Sequence, residues 1–139
     1  EEGEKTITVI IDLSAYEEEI TVDEGVQQYD ENKIKTVEIK TEALRFERVM
    51  AELAEMDFFT YWANKSVYGF FVTGIDNVSQ DEENGIYFLI YNNDEENSNN
   101  SWGEYNYNDA KLGSASSGIS DLPVKDGCIY AFVYSAFSE

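Results

Sequence analysis

The chain has no histidine. That removes the commonest general base near neutral pH, the commonest nitrogen ligand for metals and every Ser–His–acid arrangement. It has one cysteine, Cys128, so no internal disulfide can form, and a zinc site of the usual thiolate and imidazole composition has too few ligands. Basic residues are scarce: nine Lys and Arg face 29 Asp and Glu, for a formal net charge of −20. Such a surface repels phosphate backbones and anionic lipid, which argues against nucleic acid and membrane surfaces as partners. No stretch approaches the roughly 20 apolar residues that cross a bilayer, so no membrane insertion is expected. The chain opens on Glu1 with neither Met nor an apolar leader. The expectation is an extracellular or cell-surface protein whose export signal has been removed.

What remains is enough for one domain with a real core. The 139 residues are 42% apolar and 14% aromatic, with ten Tyr to eight Phe. Tyr carries a polar tip and so suits half-exposed aromatic surfaces. The acidic excess reads first as a solubility device, and Cys128 as a small buried apolar residue.

Residues 1–5 form a polar tail, and residues 6–139 a single domain without internal repeat or linker. From Thr6 to Leu13 the pattern alternates, with Ile7, Val9, Ile11 and Leu13 on one face and Thr6, Thr8, Ile10 and Asp12 on the other. Ile20–Val22 reads as a possible short strand between turns at Asp23–Gly25 and Asp30–Asn32. A second strand runs from Ile34 to Lys40 with Val37 and Ile39 inward. Thr41 is placed to cap a helix reaching about Met56, whose Phe46, Val49, Met50 and Leu53 recur at helical spacing. Residues 57–68 are aromatic but irregular. Strands follow at Gly69–Ile75 and Ile86–Tyr91, separated by an acidic hairpin-like turn over 81–85. Residues 92–100 are so polar and Asn-rich that a mobile loop is expected. The last strand puts Cys128, Tyr130, Phe132 and Tyr134 on one face, with Ile129, Ala131 and Val133 on the other.

Three motifs, in order, carry a resemblance. The first is Tyr68-Gly69-Phe70-Phe71-Val72-Thr73-Gly74-Ile75-Asp76-Asn77, an aromatic strand ending in a turn. The second is the strand Ile86-Tyr87-Phe88-Leu89-Ile90. The third is the Gly118-Ile119-Ser120-Asp121 corner leading to the Lys125-Asp126-Gly127 turn. Together they resemble the C-terminal domain of the transcobalamin and intrinsic factor family, and still more its bacterial relatives. In this chain Tyr87 stands where that family has Trp, Ile86 where it has Tyr, and Asn77-Val78 where Gly is common. The resemblance implies an α+β fold of β-grasp type: a mainly antiparallel sheet of about five strands with one helix packed across it. It also implies an exported, non-catalytic binding or adaptor module for a corrinoid, another small ligand or a neighbouring domain. In the animal proteins the domain closes over cobalamin, and a larger helical domain supplies the rest of the site.

Strand position and aromatic character single out Tyr87, Leu89, Trp102, Tyr105 and Tyr107 as ligand-binding candidates. The alternative for Trp102, Tyr105 and Tyr107 is a satellite cluster folded back on the sheet. With 29 acids, carboxylate pairs within catalytic range arise by number alone and none is distinguished, so no enzyme activity and no cofactor are expected. The acidic runs 81–84 and 92–97 lack the calcium-loop pattern and read as solvated, with a calcium-stabilised surface domain as a further reading. Sequons at Asn64, Asn77 and Asn99 read as coincidence. A second function class stands beside the binding module: a structural or adhesive spacer domain of a bacterial cell-surface protein.

Overall fold

The computed structural model describes residues 2–67 and 69–136. The alternating segment at the start forms β1 (Lys5–Asp12), which pairs antiparallel with β2 (Ile34–Thr41), Val9 opposite Val37 and Ile7 opposite Ile39. Then come α1 (Phe46–Glu55), β3 (Tyr61–Ser66), β4 (Gly69–Ile75), β5 (Val78–Ser79), β6 (Ile86–Asn92), β7 (Ser98–Tyr107), β8 (Ala110–Ala115) and β9 (Ile129–Ala136). Six strands make one sheet in the order β2-β1-β9-β6-β8-β7, and three make a second in the order β3-β4-β5. β9 runs parallel to β1, with Val9 opposite Tyr130 and Ile11 opposite Phe132; the other pairings are antiparallel.

The expectation of a mainly antiparallel sheet of about five strands with one helix holds for the strand direction and the helix, and is corrected in extent to a six-stranded mixed sheet plus a three-stranded antiparallel one. β3 lies in the stretch expected to be irregular, and it carries no burial pattern: Trp62, Asn64, Lys65 and Ser66 are all exposed. The start of β7 was hidden by its polarity, Ser98-Asn99-Asn100-Ser101. Ile20–Val22 forms no strand.

The two faces of β1 and β9 divide the core as their alternation demands. Ile7, Val9, Ile11, Tyr130, Phe132 and Tyr134 join the main core. Ile10 and Ala131, on the other face, form a smaller cluster with Leu112. α1 lies against the main core, its Phe46, Val49, Met50 and Leu53 fully buried. The Phe46 ring sits 4.7 Å from Tyr130 and 5.7 Å from Phe132, centroid to centroid.

The helix begins at Phe46 rather than just after Thr41. Its first amides are satisfied by loop carbonyls: Phe46 N–H donates to Leu122 O at 2.8 Å and Glu47 N–H to Ile119 O at 2.9 Å. Thr41 instead donates to Glu52 Oε1 at 2.6 Å and accepts from Ala43 N–H.

The stretch expected to be a mobile loop, 92–100, is ordered by its own side chains. Asn92 Oδ1 accepts from Asp94 N–H at 2.8 Å, Asp94 Oδ2 accepts from Asn97 Nδ2 at 2.8 Å, and Asn92 Nδ2 donates to Asn97 O at 3.1 Å. Asn and Asp serve here as stand-ins for backbone partners, and both Asn92 and Asp94 are buried.

Candidate functional site

β6 has two unlike edges. One pairs with β9 over its whole length, from Ile86 opposite Ala136 to Asn92 opposite Tyr130. The other pairs with β8 only at Tyr91–Ser114 and Asn92–Gly113, and is closed at its start by a bridge between Asp81 and Ile86. In that bridge Ile86 N–H donates to Asp81 O at 2.9 Å and Asp81 N–H to Ile86 O at 2.8 Å. Ile86 thus turns its backbone away from β9, and strand alternation turns Phe88 and Ile90 the same way.

Those backbone groups border a groove of about 510 Å³ lined also by Phe71, Leu89, residues 114–117 and Asp121. The Gly118-Ile119 corner builds one wall. A Cβ on Gly118 would collide with the Phe70 carbonyl, so only glycine lets the corner dock on β4. Ile119 N–H then donates to Phe70 O at 2.9 Å, and Phe70 N–H to Ser120 Oγ at 3.0 Å. The result is a part-apolar trough with hydroxyls of Ser114, Ser116 and Ser117 and one carboxylate at its margin, a setting for an amphipathic ligand.

Of the residues singled out in the sequence, Leu89 lines this groove. Tyr87 lies on the same strand, opposite Ser135 and on the face away from α1. Tyr105 and Tyr107 pack with Ile10, Leu112 and Ala131, so β7 folds back over the rear of the sheet. Tyr105 donates to Asp12 Oδ2 at 2.6 Å and stacks 5.9 Å from Tyr91. Burial, reinforced by the Asp12 hydrogen bond and charge, pushes its hydroxyl pKa well up. Trp102 stands apart: Asn99 pairs with Ser114 and Glu104 with Gly113, so residues 100–103 bulge out of register and Trp102 is 65% exposed. Phe71 and the serines of 114–117 were missed. Nothing local in their sequence says that a strand edge faces them. Tyr68 of the first motif lies outside the described residues.

A second polar centre is buried between the sheets. Lys35 Nζ and Asp76 Oδ2 are 2.8 Å apart with side chains 1% and 0% exposed. Lys35 also donates to Gln27 O and Phe58 O and lies over the Tyr29 ring, 4.5 Å from its centroid. Tyr29 donates to Asp76 Oδ2 at 2.6 Å, and Thr60 N–H to Asp76 Oδ1 at 2.9 Å. Burial lowers the Lys35 pKa, with Asp76 opposing, while burial and Asp76 together raise that of Tyr29. Each group is spent on a partner, so this centre joins β2 to the β4–β5 turn. The sequence held one signal for it, since Lys35 falls on the inward face of β2 with Val37 and Ile39.

A wider depression of about 880 Å³ lies between β2 and α1. Its margin mixes Glu4, Glu42, Glu52 and Glu55 with Lys40 and Arg48 around Ile39, Ala43 and Met56. Among the described residues no group of three or more Asp, Glu or Cys side chains is placed to hold a metal ion.

No family model matches the chain, and no curated protein matches it in sequence. Solved structures do match in fold. Haptocorrin in complex with Cbi superposes with a TM-score of 0.65 at 11% identity over 99% of this chain. The chain spans 26% of haptocorrin's length. A proposed metal binding protein from Ruminococcus gnavus superposes with a TM-score of 0.55 at 16% identity, covering 95% of this chain and 97% of that one. At these identities the likeness is one of fold.

Proposed function

We propose that this protein is an exported, non-catalytic binding module of the transcobalamin C-terminal type, whose ligand seat is the groove along β6. The β-grasp reading is supported by the β1–β2 hairpin, by α1 packed on the sheet, and by β9 returning parallel to β1. The observation that carries the functional reading is the open edge of β6. Phe88 and Ile90 face the groove with backbone donors and acceptors, between the Asp81 bridge and the β8 pairing. A planar amphipathic ligand with amide groups at its periphery suits that edge: apolar contact with Phe71 and Leu89, hydrogen bonds to the backbone and to the serines of 114–117. A corrinoid is such a ligand, and haptocorrin's complex with Cbi supports that class.

The test is calorimetry and thermal melting with cobinamide and cyanocobalamin. Saturable heat and a raised melting temperature are expected, both lost in Leu89→Asp. No heat and no shift at about 1 mM corrinoid would remove this ligand class.

The second reading is a structural or adhesive spacer of a cell-surface protein. It is favoured by the strongly acidic composition, which keeps a crowded surface domain soluble. The gene's other domains discriminate: tandem copies and a wall anchor favour the spacer, a helical partner domain favours ligand capture.

A further inference from the structure

The outer face of the three-stranded sheet carries a feature that the β6 groove does not use. Trp62 on β3 is opposite Gly74 on β4, which is opposite Ser79 on β5. The edge of the indole comes up against that glycine: a Cβ at position 74 would meet Trp62 Cε3 at 2.9 Å and Cδ2 at 3.7 Å. The absence of a side chain at position 74 thus makes room for the ring, which stays 52% exposed.

Around the ring is a shallow pocket of about 430 Å³, lined by Trp62, Asn64, Thr73, Gly74, Asn77 and Ser79. None of these six is ionisable, on a chain with 29 acids. Among the described residues, the side chains of Asn64, Thr73 and Ser79 are uncommitted, whereas Asn77 Nδ2 donates to Thr21 O and Asp23 Oδ1. A half-exposed indole beside an amide and two hydroxyls, in a patch lined by no ionisable side chain, suits a neutral sugar. The apolar C–H face of a pyranose ring packs on the electron-rich face of the indole, and its equatorial hydroxyls reach the amide and the hydroxyls. An acidic sugar would be repelled by the field of the surrounding carboxylates.

We propose that the Trp62 face binds a neutral glycan, free or as part of a polysaccharide, one sugar ring seated on Trp62 and hydrogen-bonded to Asn64, Thr73 and Ser79. The site is distinct from the β6 groove, so a corrinoid titration neither supports nor weakens it.

The experiment follows the Trp62 indole and Asn64 amide signals of ¹⁵N-labelled protein during titration with cellohexaose, chitohexaose and mannohexaose, with polygalacturonate as the charged control. Saturable shifts of both signals are expected with at least one neutral hexasaccharide and not with polygalacturonate. Trp62→Ala should weaken that binding by at least about tenfold, while Trp102→Ala leaves it unchanged. Gly74→Ala, which must tilt the ring, should weaken it as well. All variants are first checked by circular dichroism for the native fold, which an exposed Trp leaves intact. Unmoved signals with all three neutral sugars at about 10 mM, or equal affinity in Trp62→Ala, would overturn the proposal.

Discussion

Lys35 and Asp76 are held by each other and by the groups around them, and neither can be removed alone without cost. Lys35→Met leaves a carboxylate buried without its cation, so a loss of about 3–5 kcal/mol is expected in urea unfolding. The double variant Lys35→Met/Asp76→Asn should recover a large part of it, because no uncompensated charge remains. Asn also suits the left-handed backbone at position 76, where φ is +49°. Tyr105 gives a prediction in pH. Its hydroxyl, like that of Tyr29, keeps its proton in the folded chain well above the ordinary 10.0. Above pH 10 the unfolded chain ionises these tyrosines and the folded chain does not, so the folded state holds more protons and stability falls as pH rises. Below pH 10 their contribution is complete. Tyr105→Phe should flatten that alkaline decline in melts between pH 8 and 11, and cost about 1.5–3 kcal/mol at neutral pH through the lost bond to Asp12.

At the scale of elements, α1 owes its place to one stripe. Phe46→Ala should destabilise the protein by about 3–5 kcal/mol in denaturant unfolding, since its ring fills the contact with Tyr130 and Phe132. That stripe was legible in the sequence, as were β1, β2, β4, β6 and β9, because each element buries one face and its period shows. β3 was not legible, because its exposed Trp62, Asn64, Lys65 and Ser66 carry no burial signal. Nor was the order of 92–100, where Asn92 and Asp94 are buried by hydrogen bonding rather than by hydrophobicity. The site divides in the same way. Leu89 could be chosen from its strand, but the groove needs the meeting of β6, β4 and the 114–121 segment, and contacts so distant in sequence leave no local pattern. The turn after β4 illustrates a smaller departure. Asn77 adopts φ +68°, a conformation Asn tolerates better than most other side chains.

For the molecule as a whole, a net charge of −20 on 139 residues means that folding compresses like charges. Raising NaCl from about 10 mM to about 500 mM should raise the melting temperature by screening that repulsion, and a flat response would show that the carboxylates are too widely spaced to matter. The pairing of β1 with β9 has a mechanical consequence. The first and last strands are neighbours pointing in the same direction, joined from Thr8–Ile129 to Asp12–Val133. Tension applied through the two ends of the chain loads those rungs sideways and together, not one after another as in a zipper. In single-molecule pulling the intact domain should therefore rupture abruptly at high force, while pulling between Lys5 and Thr41, across the antiparallel hairpin, should peel it at lower force.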